Sequence, residues 1–513
     1  MTMQWTATYV FIALFVFVTF MGFAAARWRA GDLNHINEWG LGGQRFGTIV
    51  TWFLLGGDLY TAYTFIAVPA LVFTAGAIGF FAVPYTIIVY PLVFLIFPRM
   101  WSVARKHGFV TASDFVKGRY GHAGLALAIA LTGIVATMPY IALQLVGLET
   151  VIGALGFDTH GTMGHMPLII AFVILAAFTY SSGLRAPAMI AIVKDLLIYI
   201  TVIAAVVIIP AKLGGYAAIF AAVPTEKLTL ATPPANSLGM YSAYATLAFG
   251  SALALFLYPH SMTGVLSASS GHVIRRNAAI LPAYSIVLAL LSLLGYMAYA
   301  SGVATKPEFA DGFAKYGPNF AVPALFIDQF HGWFVGVAFA AIGIGALVPA
   351  AIMSIAIANL FTRNVYKEYL RPDCTPADEA RVAKLVSLVA KGGALFFVLA
   401  LDTRLAIQLQ LLGGIWIIQT LPAVFFGLYT RWLDPRALLT GWAVGIASGT
   451  WMAWTLNFKG SIWPLHIFGY TVPGYAAFFT VILNIVVAVV LTLILRAVSK
   501  TVHHDVTAIE DYA

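Results

Sequence analysis

The sequence contains very few charged residues. Asp, Glu, Lys and Arg make up 9% of its 513 residues, and 61% are hydrophobic, whereas an average soluble protein has roughly 25% charged residues. A chain of this length needs many more charged side chains to keep a soluble surface hydrated. The composition therefore excludes a water-soluble globular enzyme and indicates that lipid surrounds most of the chain.

The sequence also lacks other features that define a protein class. It has one cysteine, Cys374, which excludes a disulfide scaffold. The high hydrophobicity excludes intrinsic disorder, and no His/Cys metal cluster, Walker phosphate loop or nucleophile elbow is present. We therefore predict neither an enzyme nor a bound cofactor. The net charge of +8 does not require a nucleic-acid partner, because in a membrane protein the side on which the basic residues lie matters more.

Long apolar segments recur along the whole chain. A helix needs about 20 apolar residues to cross the hydrocarbon layer, and none of these segments alternates as a barrel strand would. The sequence therefore predicts an all-α integral membrane protein with about 13 transmembrane helices in the lipid bilayer. The thirteen segments span residues 5–27, 46–75, 78–100, 123–155, 166–183, 187–211, 239–268, 276–303, 331–361, 383–401, 404–430, 437–456 and 474–496.

The basic residues predict the orientation of the chain. The first apolar segment is too long for a signal peptide and has no basic residue before it, so it is predicted to be retained. Of the 28 lysines and arginines, 20 fall in one set of loops, which the positive-inside rule assigns to the cytoplasm. The C-terminus is then cytoplasmic, with His503, His504 and Asp505 in a solvated tail, and the N-terminus lies outside. The other loops hold only Lys212, Lys227, Lys306, Lys315, Arg404 and Lys459.

Two apolar segments contain helix-breaking residues near their middle. The second carries Gly56, Gly57 and the acidic residue Asp58, and the seventh carries Pro259 and His260. A broken helix is tolerated in lipid only where protein or a wet cavity surrounds it. These segments begin two possible five-helix sets, segments two to six and seven to eleven, as an inverted repeat predicts. The alternative is that the glycines and proline only kink ordinary helices.

Ionisable residues at bilayer depth are candidates for function. Asp58 either contacts a substrate or cation, or caps the helix half that follows it. His260 either binds substrate or handles a proton, or is a hydrogen-bonded structural residue. Lys194 and Asp195 are adjacent on one helix, so we expect them not to face the same cavity. Lys391 is expected to extend its ammonium to the cytoplasm.

These breaks lie in motifs that resemble the solute:sodium symporter family, which has a LeuT-type core of five plus five helices and extra helices at both ends. The motifs include GDLYTAYTFIAVPALVFTAG in the second segment, YIALQLVG in the fourth, YPHSMTG in the seventh and NLFTRNVYKEYL at the end of the ninth. The resemblance covers essentially the whole chain. It implies an extra helix and loop at 1–45, an inverted-repeat core at 46–430 formed by 46–211 and 239–430, and two extra helices at 431–513.

Within that family the broken segments look most like those of the acetate and monocarboxylate permease branch. That likeness implies a symporter of the bacterial inner membrane that imports lactate, pyruvate, acetate, propionate or alanine by alternating access. Another small solute, such as proline, urea or a vitamin, is an alternative, and so is a membrane sensor that retains the fold. The substrate-binding candidates are Asp58, Thr61, Tyr140, Gln144, Tyr258, His260 and Gln419, although Tyr and Gln side chains also link membrane helices structurally.

The resemblance also implies a sodium site between the second and ninth segments. The corresponding positions are Gly57 and Tyr60, which offer backbone carbonyls, and Gly345, Val348 and Pro349. Val348 and Pro349 have no hydroxyl, whereas sodium depends on oxygen ligands. Lys194 falls on the face of the sixth helix that borders this site. One hypothesis is that Lys194 replaces sodium and that transport is coupled to H⁺ or independent of sodium. The alternative is that Lys194 is a fixed strut and Na⁺ binds elsewhere, for example near Ser354.

Overall fold

The computed structural model describes residues 3–28, 31–57, 59–157, 164–400, 406–498 and 504–512. The side chains of residues 397, 399 and 400 are outside this description. The described chain is mostly helical, which confirms the predicted helical membrane class.

A helix or pair of helices covers each of the thirteen apolar segments, and we number these elements in chain order. A suffix a or b marks the two halves of a broken helix. The elements are α1 (Trp5–Ala24), α2a (Thr48–Gly57) and α2b (Val68–Ala75), α3 (Ala82–His107), α4 (Ala123–Ala154), α5 (Met166–Ser182), α6 (Arg185–Lys212), α7a (Gly239–Leu255) and α7b (Pro259–Leu266), α8a (Gly271–Ile280) and α8b (Tyr284–Ala300), α9 (Gly332–Phe361), α10 (Pro376–Ala400), α11 (Ala406–Ile417), α12 (Pro435–Thr455) and α13 (Ala476–Val498).

The number of membrane spans is a separate question from the number of helices. Among the described residues, eight helices are long and apolar enough to cross a membrane, or nine if α7a and α7b form one bent span. The helices α2a and α5 are apolar but shorter. The helix positions therefore agree with the sequence, while the count of thirteen spans stays a prediction.

Both predicted breaks are present. The helix α2a ends at Gly57, and a π-helical turn, Tyr63–Ala67, precedes α2b. The helix α7a ends at Leu255, and α7b begins at Pro259 with the axis bent by 50°. Proline is favoured at this first helical position because the N–H that it lacks would have no partner within the helix. Each break leaves backbone groups without helical partners, so each creates hydrogen-bonding capacity inside the bundle.

The middle of the bundle is formed by α4 and α9. The most apolar part of α9 is 94% buried, whereas the corresponding parts of α1 and α13 are 22% and 28% buried. The helix α9 packs against α1, α4, α6 and α10, and it is hydrophobic on all sides, as a fully enclosed helix must be. The first and last helices thus lie at the periphery, and α9 passes beside the break in α2.

A β-hairpin between α12 and α13 departs from the all-α prediction. The strands β1 (Ile462–Ile467) and β2 (Tyr470–Tyr475) pair in antiparallel register. Phe468 and Gly469 both have positive φ, 49° and 80°, which gives the two-residue turn a twist that suits a hairpin. The hairpin packs on the bundle, where the Ser242 hydroxyl donates to the carbonyl oxygen of Pro473 at 2.7 Å.

Candidate functional site

The break in α2 is occupied by the side chain of Lys194. Its ammonium donates to the carbonyl oxygen of Gly57 at 2.5 Å and to that of Tyr60 at 3.0 Å. Both carbonyls lie at the interruption of α2, where carbonyl groups lose their helical N–H partners. Lys194 is fully buried on α6. A side-chain cation therefore satisfies the two carbonyl oxygens that the family resemblance assigned to sodium.

Asp195 lies beside the same ammonium. Its Oδ1 is 2.9 Å from Lys194 Nζ, and both side chains are fully buried. A Cβ added at Gly57 would lie 2.9 Å from that Nζ and 3.1 Å from each oxygen of Asp195, so both groups pack closely against the Gly57 backbone. The expectation that Lys194 and Asp195 would not face one site is therefore wrong. The long lysine side chain reaches round to the carboxylate of its neighbour.

Two tyrosines extend this buried network. The Tyr284 hydroxyl donates to Asp195 Oδ2, and the Tyr60 hydroxyl donates to the carbonyl oxygen of Tyr284. The rings of Tyr60 and Tyr284 are 4.3 Å apart. The network thus joins α2, α6 and α8b around one lysine–aspartate pair. Sequence reasoning missed Tyr284, although an intramembrane carboxylate beside a lysine already indicates that further hydrogen-bond donors lie nearby.

The helix α9 approaches this network at Gly345. A Cβ at Gly345 would lie 3.8 Å from the Tyr60 carbonyl oxygen and 3.9 Å from Ile198 on α6. Val348 and Pro349, one turn further along, are buried and have no hydroxyl group. The structure therefore brings Gly57, Tyr60, Gly345 and Lys194 together, and the two carbonyl oxygens that accept from the ammonium are those of Gly57 and Tyr60 at the break in α2.

Three of the predicted substrate-binding residues form a cluster of rings at the break in α7. The ring centroid of Tyr140, on α4, is 5.3 Å from that of Tyr258 and 5.3 Å from that of His260. The rings of Tyr258 and His260 are 5.4 Å apart, and all three residues are buried. The Tyr258 hydroxyl donates to the Gln410 carbonyl oxygen on α11 at 3.0 Å. The cluster therefore lies where α4, the N-terminus of α7b and α11 meet.

Gln144 connects α4 to the break in α2. The Ala62 N–H donates to Gln144 Oε1 at 3.2 Å, while Gln144 Nε2 is buried and has no hydrogen-bond partner in the described part of the chain. Gln144 and Tyr140 are four residues apart, so they share one face of α4. The Thr61 hydroxyl accepts from the Tyr63 N–H at 3.0 Å. Gln144 thus combines a fixed acceptor with an amide N–H group that is available to a ligand.

Gln419 lies apart from the other substrate-binding candidates. Its Nε2 donates to the Ile415 carbonyl oxygen at 3.1 Å and to the Thr480 hydroxyl at 2.9 Å. Its Oε1 accepts from Asn484 Nδ2 at 3.1 Å. These partners bind Gln419 to the peripheral helix α13. The remaining candidate, Asp58, lies outside the described residues.

A second buried lysine occupies the region around Ser354. Lys391 is 2% exposed, and its ammonium donates to the Ser387 hydroxyl at 2.8 Å. Ser387 in turn donates to the Ser354 hydroxyl at 3.2 Å. The expectation that Lys391 would reach the cytoplasm is wrong, because Ser387, one helical turn away, provides an acceptor inside the protein. A lysine therefore lies close to both regions considered for sodium.

A small cavity lies beside α7b, and its lining includes Leu257 in the break. It measures 20 Å³ and is lined by residues of α4 and α7b and of the segment that follows α3, including Ile129, Pro259, Thr263 and Thr111. The Thr111 hydroxyl donates to Asn364 Oδ1 at 2.8 Å, and Asn364 Nδ2 donates to Asp114 Oδ1 at 2.7 Å. These polar contacts link the segment that follows α3 to the residues that follow α9. In the described part of the chain, no group of three or more His, Cys, Asp or Glu residues is arranged to hold a metal ion.

Two broken helices beside a fully buried helix define a helical membrane transporter core. The sequence comparison agrees, since residues 39–445 match the model of the sodium:solute symporter family. The chain therefore belongs to the sodium:solute symporter family, and the resemblance found in its motifs is confirmed.

Its relatives are similar over most of their length. The monocarboxylate transport permease protein of Rhizobium johnstonii (strain DSM 114642 / LMG 32736 / 3841) is 55% identical over 499 residues, 96% of this chain and 97% of the relative. The uncharacterized symporter YodF of Bacillus subtilis (strain 168) is 32% identical over 443 residues, 86% of each chain. A solved structure of a Na⁺-coupled sialic acid symporter, in a substrate-bound outward-open state, superposes with a TM-score of 0.74 at 16% identity and covers 96% of this chain and 98% of that one. The superposition confirms the predicted fold.

Proposed function

We propose that this protein is a symporter that imports small monocarboxylates such as lactate, pyruvate, acetate, propionate and alanine by alternating access, and that Lys194 takes the place of sodium, so that transport is proton-coupled or independent of sodium. The observation that carries the second part is the position of Lys194, whose ammonium is hydrogen-bonded to the Gly57 and Tyr60 carbonyl oxygens. The observation that favours the first part is the 55% identity with a monocarboxylate transport permease.

The ring cluster and Gln144 suit a small carboxylate. A carboxylate that leaves water needs hydrogen-bond donors, and the break in α7 directs the positive dipole end of α7b towards it. Gln144 Nε2 adds a buried donor on the same face of α4 as Tyr140. The rings of Tyr140, Tyr258 and His260 supply apolar surface for a chain of one or two carbons. Thr61, at the break in α2, is the last of the proposed substrate-binding residues. Gln419 is not among them, because its side chain is hydrogen-bonded to Thr480 on α13.

Coupling would depend on the charge of the Lys194 ammonium. The protonated lysine holds the two ends of the α2 break against α6 through its hydrogen bonds to Gly57 and Tyr60 and its ion pair with Asp195. Loss of the proton would weaken these contacts and change the relative free energies of two arrangements of α2 and α6, which is the condition for coupling. A lysine cannot leave with the substrate as sodium does, so only its proton can be transported.

The orientation proposed is the one that the basic residues predict. The protein lies in the bacterial inner membrane with its N-terminus in the periplasm and its C-terminus in the cytoplasm. Substrate would then enter from the periplasm.

Uptake of labelled lactate into proteoliposomes tests the proposal. We expect uptake to be undiminished without sodium and to be stimulated when the outside is made acidic, and we expect unlabelled pyruvate, acetate and propionate to compete while urea and proline do not. Strict dependence on sodium would refute the proposed coupling. Competition by proline or urea alone would refute the proposed substrate class.

A further inference from the structure

The C-terminal segment 504–512 is bound to the helical bundle. The Val506 N–H donates to the Gly118 carbonyl oxygen at 3.0 Å, and the guanidinium of Arg431 donates to the Thr507 carbonyl oxygen at 3.0 Å. Thr507 and Tyr512 are buried and share a hydrogen bond of 2.8 Å between their hydroxyls. A segment with these contacts has a defined place against the ends of the helices. Of the three residues predicted to lie in a solvated tail, His503 is outside the described residues, His504 is exposed as predicted, and Asp505 is partly buried in an ion pair with Arg119.

Two aspartates bind the two ends of this segment to different helices. Asp505 forms an ion pair with the buried Arg119, on the short helix Ala112–Tyr120. Asp511 lies 2.5 Å from Lys106 Nζ and 2.6 Å from His107 Nε2, at the end of α3. The hydrogen bond from Lys106 holds the pKa of Asp511 well below its usual range. Asp511 is therefore ionised at neutral pH, and the contact with α3 is a charged one.

The helices joined in this way belong to two different parts of the bundle. The helix α3 packs against α7a and α8a, on the side of the broken helix α7, whereas the short helix Ala112–Tyr120 packs against α4. In transporters with inverted repeats, alternating access is largely a rocking of one helical body against the other. A segment that binds both bodies restrains that motion at the end of the bundle where it is bound.

The cavities at this end of the bundle fit such a restraint. The 20 Å³ cavity is lined by residues of both α4 and α7b, so it widens if the two bodies separate. A surface cleft of 760 Å³ is lined by His107, Asp114, His504 and Val506 among others. The C-terminal segment therefore forms part of the wall of that cleft, beside the polar contacts of Thr111, Asn364 and Asp114.

We propose that residues 504–512 act as a strap that holds this end of the bundle closed and limits how often it opens. The strap acts through the Asp505–Arg119 and Asp511–Lys106 pairs, and its effect requires only the family's two-body fold, whatever the substrate. It is therefore independent of the proposed monocarboxylate specificity and of the coupling ion.

The rate at which a cavity-lining cysteine is labelled tests the strap. Cys374 is the only cysteine, so Cys374→Ser gives a background in which Ile129→Cys reports access to the 20 Å³ cavity. A membrane-impermeant maleimide is added to the cytoplasmic face of inside-out vesicles without substrate. We expect Asp511→Asn, and deletion of residues 504–513, to increase the labelling rate roughly two- to fivefold, the range expected for loss of partly exposed ion pairs.

The matched control is Glu510→Gln, which removes a carboxylate from the exposed residue next to Asp511 and should label at the parent rate. Total protein labelled after denaturation corrects for differences in folding, and Asp511→Asn keeps the test valid if the deletion variant is not inserted. Equal labelling rates in the parent, Asp511→Asn and the deletion variant would overturn the proposal. Since labelling needs no transported solute, failure of the strap is distinguishable from failure of the proposed transport function.

Discussion

The Nζ atom of Lys194 lies 2.5 Å from the carbonyl oxygen of Gly57, at the point where α2a ends. The cation that satisfies this helix end is covalently part of α6, so it stays in the membrane throughout the transport cycle. Its positive charge can be removed only by loss of a proton. The proposed role of Lys194 in place of sodium can therefore be tested by substitution.

Lys194→Arg separates the charge of this residue from its ability to release a proton. Arginine stays protonated under all conditions in proteins, so it can still pair with Asp195 but cannot be discharged. We expect exchange of labelled for unlabelled lactate to be retained at a reduced level, while uptake driven by a pH gradient falls at least tenfold. Lys194→Met removes the charge, leaves Asp195 unpaired, and should lower both rates. Full pH-driven uptake by Lys194→Arg would show that the residue is only a structural strut.

A sodium site can be rebuilt in the same place. The combined variant Lys194→Ala, Val348→Ser and Pro349→Ser empties the space beside the Gly57 and Tyr60 carbonyl oxygens and adds two hydroxyls on α9. Oxygen ligands around a buried carboxylate, Asp195, suit a hard cation. We expect the melting temperature of this variant in detergent to rise with sodium and not with potassium. Lys194→Ala alone, which lacks the hydroxyls, is the control and should respond to neither ion; an equal response of both variants would contradict the idea.

The sequence predicted the positions of the helices and both breaks because hydrophobicity and helix-breaking residues are local signals. The Gly56–Gly57 pair marks the residue where α2a ends, and Pro259 marks the residue where α7b begins. The helix α9 is hydrophobic on all sides, so its sequence has no hydrophobic periodicity that would indicate which helices pack against it. The positions of the helices were therefore accessible from the sequence, while their packing was not.

The partners of long side chains were the least predictable part of the site. Lys391 was expected to reach water, but its ammonium donates to Ser387 inside the protein. The sequence alone does not show that this part of α10 faces α9, where Ser387 contacts Ser354. Lys194 and Asp195 converge against the backbone of Gly57, on another helix. Such contacts depend on the distance between helices, which residue spacing along one helix does not encode.

Gln144→Glu tests whether the amide N–H of Gln144 contacts the substrate carboxylate. Glutamate keeps the acceptor that binds the Ala62 N–H and replaces the unpartnered Nε2 with an oxygen. We expect the KM for lactate to rise at least tenfold, because a donor to the anion is lost and a like charge is gained, while the melting temperature changes little. Gln144→Ala is the comparison, since it loses the link to α2 as well and should lower both affinity and stability. An unchanged KM in Gln144→Glu would place the carboxylate elsewhere.

Gln419→Ala is expected to affect stability and not substrate affinity. The Gln419 side chain is hydrogen-bonded to Thr480 and Asn484 on α13, so its removal leaves buried polar groups without partners, at a cost of about 1–3 kcal/mol. The melting temperature in detergent should therefore fall, and Thr480→Val, which removes a partner from the other side, should lower it in the same direction. The KM for lactate should remain at the parent value in both variants. A large increase in KM at an unchanged melting temperature would return Gln419 to the substrate site and require α11 to turn away from α13 during transport.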